Sequence, residues 1–196
     1  MPIFHLLAGP NGAGKSSLYR ALLAEKVIDT KLEFVNADIY ERDYLKRIKN
    51  PLKRSTEARN WAENRRHFLL QSKVSFVSEA VFSHESKIEL LERAKQAGFQ
   101  IALYIVAVND PAILVERVNK RAREGGHDVP VEKILSRYPR TLANLAKALP
   151  LADLSFLYDS QDVQQDGLQH VATCREGVLI EGVDNFPAWV HLVLPV

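Results

Sequence analysis

Gly9-Pro10-Asn11-Gly12-Ala13-Gly14-Lys15-Ser16 satisfies the pattern G-x-x-x-x-G-K-[S/T] at every fixed position. What flanks it gives the pattern its meaning. Ile3 to Ala8 is a short apolar run that reads as a buried strand, and Lys15 to about Lys26 reads as a helix with Leu18, Ala21 and Leu22 at core spacing. Strand, glycine loop and helix together aim successive backbone N–H groups and the positive end of the helix dipole at one place, where a polyanion is stabilised. In that arrangement Lys15 reaches the β and γ phosphates of a nucleotide and the Ser16 hydroxyl ligates Mg²⁺. The glycines allow positive φ or close backbone approach, and Gly9, Pro10, Asn11, Gly12, Ala13, Gly14 and Ser17 complete the cradle.

A chain of 196 residues with 46% hydrophobic content can bury one substantial core, so a single domain over 1–196 is expected. No apolar run approaches the length of a membrane span and the first residues show no signal-peptide pattern, which predicts a cytoplasmic protein with no membrane partner. The single cysteine, Cys174, excludes an internal disulfide and a cysteine-based zinc site, and reads as a small core residue. The net charge of +2 conceals an uneven distribution. Glu41 to Lys73 holds ten Lys or Arg against four acids, whereas Pro150 to Val196 holds one Arg against seven acids. The basic stretch is either a solvated helical surface or a face presented to an anion.

Along the chain, Leu32 to Val35 reads as a second strand whose end delivers Asp38 to the same sheet edge as the glycine loop, the edge where ligands of open parallel sheets bind. Residues 39–72 carry no strand signal and form a charged helical insertion on the substrate side, interrupted at Asn50-Pro51, with Ala58, Trp61, Ala62, Phe68 and Leu69 as a loose apolar face. A third strand is expected from Val74, leading into Ser78-Glu79, and then a helix with Ser83 as N-cap, Ile88, Leu91 and Ala94 as its buried stripe and Gly98 as its stop. Gln100 to Val108 suits a central parallel strand covered on both faces.

Asp110-Pro111 opens a helix that brings Arg117 and Arg121 onto one face. After the turn at Gly125-Gly126-His127, helical spacing resumes from Val131 to Leu149, with a kink or break expected at Pro139. Residues 117–140 therefore describe a basic, glycine-hinged helical lid. Leu154 to Tyr158 is a fifth strand, and Gln169 to Cys174 with Gly177 to Glu181 form a C-terminal β-hairpin. Trp189 reads as packing. The whole is an α/β, three-layer P-loop fold with a mostly parallel sheet.

Phosphoryl transfer needs in-line positioning, neutralisation of the moving charge, and a group that orients the nucleophile. Asp38 is placed to meet a hydroxyl before the γ-phosphate, or else caps the helix after it. Glu79 can hold a metal-bound water or a substrate hydroxyl, or be a surface carboxylate. Arg117, Arg121, Arg137 and Arg140 can supply positive charge to the transition state, though some of the four will be solvated. His127 is a ligand contact or a turn residue.

The glycine loop, Val35-Asn36-Ala37-Asp38, Ser78-Glu79, and Arg121 through Gly125-Gly126-His127-x-Val129-Pro130 to Arg137-Tyr138 together resemble the zeta-toxin family of P-loop kinases, in particular its small chromosomal members. The resemblance covers roughly Pro2 to Asp159. It implies a kinase using ATP and Mg²⁺ on a hydroxyl of a small metabolite such as a UDP-sugar, with an antitoxin protein as partner. By the same resemblance Lys15 and Ser16 serve the phosphates, Asp38 is the base, Glu79 has a substrate or metal role, and Arg121 and Arg137 stabilise charge. The chain departs from the family at Tyr158-Asp159-Ser160-Gln161, where relatives often carry an Asn after the Asp. Two other readings compete. One is a nucleic-acid end kinase, for which Arg42 to Lys73 supplies charge but only Tyr44, Trp61 and Phe68 for stacking. The other is an ATP-binding switch or toxin component with weak turnover.

Overall fold

The computed structural model describes residues 1–126, 129–161 and 167–194. His127, one of the expected ligand contacts, lies outside the described residues. The elements run β1 (Ile3–Ala8), α1 (Lys15–Ala24), β2 (Glu33–Val35), α2 (Ala37–Tyr44), α3 (Pro51–Gln71), β3 (Phe76–Ala80), α4 (Ser86–Gln96), β4 (Gln100–Ala107), α5 (Pro111–Arg123), α6 (Val131–Ala148), β5 (Leu154–Asp159), β6 (Gln169–Arg175), β7 (Val178–Gly182) and α7 (Ala188–Val193).

The strands form one sheet in the order β2-β3-β1-β4-β5-β6-β7. The first five are parallel, and β6 and β7 add antiparallel as the expected hairpin. Since β1 lies between β3 and β4, the chain leaves it toward one edge for β2 and later crosses to the other side of β1 for β4. The loop after β1 thus sits at the reversal of strand order, where parallel sheets open a crevice.

Alternation along β1 sorts its side chains between two helical layers. Phe4, Leu6 and Ala8 join the core formed with α3, α4, α6 and α7, while Leu7 joins Leu18 and Leu22 of α1 and Leu114 and Val118 of α5 on the opposite face. Helix α6 belongs to both layers. Its Ile134 packs with α1 and α5, whereas Leu142 and Leu145 pack with α3 and α4, so the helix passes over the carboxyl edge of the sheet.

Several local expectations need correction. Ala21 is exposed, because α1 turns Leu18 and Leu22 inward. Strand β3 begins at Phe76 rather than Val74, since Val74 N–H donates back to Leu69 O and Lys73 takes a left-handed φ of 53°, which closes α3. Phe68 lies on the surface under the Arg65 guanidinium, and Leu70 takes the buried position instead. Ser83 does not cap α4: the helix starts three residues later, with Glu85 at the N-cap position and no side-chain cap bond. Pro139 does not break α6, which runs through it for 18 residues.

Candidate active site

The loop after β1 takes its shape from one close approach and one left-handed turn. A Cβ at Gly9 would stand 2.1 Å from the Val106 carbonyl oxygen of β4, so no other residue fits there. Gly14 is the N-cap of α1 with φ 99°, and Ser17 and Leu18 N–H both donate to its carbonyl. Ala13 is wholly buried beneath the loop, and Asn11 has a buried Oδ1 with no hydrogen-bond partner among the described residues.

Lys15 is buried. Its Nζ donates to Gly9 O and Pro10 O, both at 2.9 Å, and stands 3.7 Å from Glu79 Oε1. Burial pushes its pKa below the ordinary lysine value. The carboxylates of Glu79 and Asp38 oppose that shift and the charge of Arg121 reinforces it. Lys15 is thus a cation stripped of water and curled back on its own loop, a form that favours transfer of its hydrogen bonds to phosphate oxygens.

Glu79, near the end of β3, is the hub. Its Oε2 accepts from Asn36 Nδ2 at 2.9 Å and from Ser16 Oγ at 3.3 Å. Asn36 is the N-cap of α2 and its Oδ1 accepts from Ile39 N–H at 3.1 Å, so one side chain starts the helix and orients the carboxylate. Asp38 occurs in the first turn of that helix rather than capping it. It is exposed, and its charge is felt at Lys15.

A cavity of about 310 Å³ opens over the loop. Gly12, Gly14, Lys15 and Ser16 line one wall, with Ser17 and Arg20 from α1. Glu79, Arg117, Arg121 and Leu168 line the rest. Arg117 is tied down by Ser160: its Nη2 donates to Ser160 O at 2.6 Å and its Nη1 to Ser160 Oγ at 3.2 Å. Gly126 closes the turn after α5 against Arg121, with a backbone bond to Arg121 O at 2.9 Å and space for no Cβ beside its Cγ. Arg137 does not line this cavity. Burial lowers its pKa, as do Arg140 on its own helix and Arg59 on α3, which places it toward α3.

The chain leaves β3 under strain. Phe82 is buried and holds φ 66°, a left-handed backbone that costs an L residue about 1–2 kcal/mol. Two buried side chains of α6 hold its flanks. Thr141 Oγ1 donates to Val81 O at 3.1 Å and Asn144 Nδ2 to Phe82 O at 3.0 Å. At about 1 kcal/mol each, these bonds offset the strain.

Sequence reasoning overlooked Asn36, Arg20, Thr141 and Asn144 as contributors to this region. Asn36 was findable, because an Asn between a strand and a helix is an N-cap signal. Arg20 was findable too, four residues after Ser16 on the same helix face. Nothing local marks Thr141 or Asn144.

Residues 4–141 match the AAA domain family. The chain belongs to the AAA domain family. The matched span runs from β1 into α6, so it takes in the glycine loop, Glu79 and the arginines of α5. A protein of Haemophilus influenzae described as uncharacterised is 27% identical over 132 residues, covering 66% of this AAA domain chain and 88% of that protein. Among solved structures, a chain of the AvrRxo1-ORF1:AvrRxo1-ORF2 complex with sulphate ions superposes with a TM-score of 0.75 at 19% identity, over 100% of this chain. Only 64% of that longer chain is covered. A chain of the PezAT chromosomal toxin-antitoxin system of Streptococcus pneumoniae gives 0.64 at 16% identity, covering 88% of this chain and 71% of that one. A protein of Chloroflexus aurantiacus assigned as a kinase gives 0.63 at 20%, covering 84% and 91%. The AAA domain described here thus has a P-loop kinase-like fold.

Proposed function

We propose that this AAA domain protein is a phosphotransferase that uses ATP and Mg²⁺ to phosphorylate a hydroxyl of a small metabolite, in the manner of the zeta toxins. The observation that carries the reading is the meeting of Lys15, Ser16 and Asn36 on the Glu79 carboxylate, at a cavity that Arg121 also lines.

The donor set suits the metal. Ser16 Oγ and Glu79 Oε2 are hard oxygen atoms 3.3 Å apart. No cluster of three or more His, Cys, Asp or Glu side chains able to hold a metal occurs among the described residues. Mg²⁺ is commonly held by one or two protein oxygens together with substrate phosphates, so Ser16 and Glu79 would hold it here. When bound, it neutralises charge on the β and γ phosphates.

The remaining steps belong to the chain's own residues. Lys15 turns from the Gly9 and Pro10 carbonyls to the phosphate oxygens. Arg121 and Arg117 balance the negative charge that the terminal phosphoryl group carries as it moves. Asp38 receives the proton of the acceptor hydroxyl as the new O–P bond forms and the bond to the leaving diphosphate breaks, which releases ADP. Arg137, which lies near Arg59 of α3 and does not line the nucleotide cavity, would serve the acceptor rather than the nucleotide.

Incubation with γ-labelled ATP, Mg²⁺ and a panel of sugar nucleotides, other hydroxylated metabolites and oligonucleotides, followed by mass identification of the labelled product, tests this. Label carried by a small metabolite supports it, and label released only as phosphate favours a switch. An antitoxin-like partner belongs to the same reading, supported by the PezAT resemblance.

One observation favours the nucleic-acid end kinase as second reading. Tyr40 stacks on Trp61 at 3.9 Å and on Tyr44 at 5.1 Å, which brings aromatics of α2 against the basic helix α3. Steep loss of oligonucleotide binding with salt, and label on its end, would select that reading.

A further inference from the structure

Helix α6 crosses the carboxyl edge of the sheet and is bonded to the ends of both strands that flank β1. At the β4 end, Tyr138 Oη donates to Val108 O at 2.6 Å. At the β3 end, the bonds from Thr141 and Asn144 reach Val81 O and Phe82 O. Thr141 and Asn144 are unusual choices for a buried helix face, since neither favours a helix interior and each must find a partner there. The partners they find are carbonyls just past the end of β3, two and three residues beyond Glu79.

We propose that Thr141 and Asn144 are positioning residues for Glu79. By holding Val81 and Phe82 they keep Phe82 in its left-handed turn, and that turn fixes the end of β3 from which the Glu79 carboxylate reaches Ser16. Ala80, between Glu79 and Val81, is held on its other side by Gly9 N–H at 3.3 Å, so a shift at Val81 is transmitted to both the carboxylate and the phosphate loop. Helix α6 thereby sets the metal-facing geometry from the opposite face of the sheet. The inference rests on the proposed role of Ser16 and Glu79 with Mg²⁺.

The test uses the whole chain and a fluorescent ATP analogue, with affinity measured in EDTA and in Mg²⁺. Thr141→Val removes the hydroxyl with little change of shape, Thr141→Ser restores it, and Asn144→Ala removes the second bond. Circular dichroism and thermal melting record whether each variant is folded. In Thr141→Val and Asn144→Ala the affinity in EDTA stays within about twofold of the parent, while the gain on adding Mg²⁺ falls by about tenfold, as is usual when support behind a metal ligand is lost. Thr141→Ser keeps the parent's gain. An unchanged gain in folded Thr141→Val and Asn144→Ala overturns the proposal, as does an equal loss in Thr141→Val and Thr141→Ser. Failure of both Thr141→Val and Asn144→Ala to fold assigns the residues to stability and also overturns it. A parent that binds no nucleotide overturns the phosphotransferase reading and this inference together, whereas a parent with normal Mg²⁺ dependence and insensitive variants overturns this inference alone.

Discussion

Asn36 Nδ2 donates to Glu79 Oε2 at 2.9 Å, which joins the N-cap of α2 to the end of β3 across the β2–β3 ladder. The same amide accepts the Ile39 N–H through its oxygen. Its two halves can therefore be tested separately. Asn36→Asp keeps the cap acceptor but places a second carboxylate against Glu79, and Asn36→Ala removes both bonds. Loss of the cap in Asn36→Ala costs about 1 kcal/mol of stability. Asn36→Asp keeps the cap but melts below the parent because two carboxylates then face each other, and its turnover falls by about tenfold or more because the Glu79 carboxylate loses its orienting donor. Comparison of denaturation midpoints with label-transfer rates checks this, and equal turnover in Asn36→Asp and parent would reduce Asn36 to a cap.

Burial lowers the Lys15 pKa, and this has consequences of opposite sign for stability and for binding. In the unliganded protein the unfolded state holds the proton over the window between the lowered folded value and the ordinary 10.5, so stability contributed by this group rises with pH there. Nucleotide binding goes the other way, because the phosphates need the ammonium. Affinity for the ATP analogue therefore weakens as pH rises through a midpoint below 10.5. The alkaline loss is absent in Lys15→Arg, whatever its affinity, since guanidinium keeps its proton there. A titration of dissociation constant from pH 7 upward in both proteins reads this directly.

Arg121 lines the cavity over the phosphate loop and Arg137 does not, so the two substitutions are expected to differ in effect. Arg121→Ala weakens the ATP analogue and lowers the single-turnover rate by about 10²-fold or more, the scale for losing a charge that stabilises the transition state. Arg137→Ala leaves nucleotide affinity within about twofold and raises KM for the acceptor found by label transfer. Equal effects of both substitutions on nucleotide affinity would return Arg137 to the nucleotide side.

The parts of this AAA domain legible in the sequence are those whose cause is local. Gly9 to Ser16 carries its own geometry, Asp110-Pro111 starts α5 with an Asp side chain that accepts the Ala112 N–H at 2.8 Å, and the apolar run from Ile101 declares a strand covered on both faces. The errors fall where a tertiary partner decides. Val74 looks like strand until α3 uses its N–H to end, and Phe68 looks like core until Arg65 covers it at the surface. For the candidate site, Lys15, Ser16 and Glu79 were readable from motif and strand end, and Glu79 lies 3.7 Å from Lys15 Nζ and 3.3 Å from Ser16 Oγ. That Arg137 stands away from this cavity was not readable, because its position depends on how α6 passes over the sheet. Thr141 and Asn144 are silent in sequence for the same reason: their partners lie 60 and 62 residues away.

Asp38 is the remaining role to separate, since its neighbour Asn36 already supplies the cap of α2 and leaves the aspartate without that duty. It is exposed, it precedes no further helix start, and its charge reaches Lys15. A general base acts on the acceptor's proton and contributes little to holding ATP, so its removal lowers the chemical step selectively. Asp38→Asn preserves shape and polarity at this exposed position and leaves stability within about 0.5 kcal/mol. Single-turnover transfer to the acceptor falls by about 10²-fold or more, while affinity for the ATP analogue changes by no more than about threefold, mainly through the lost attraction to Lys15. Loss of affinity matching the loss of rate would assign Asp38 to the electrostatics of the phosphate loop, and transfer at the parent rate would leave the acceptor hydroxyl to be oriented by Glu79 alone.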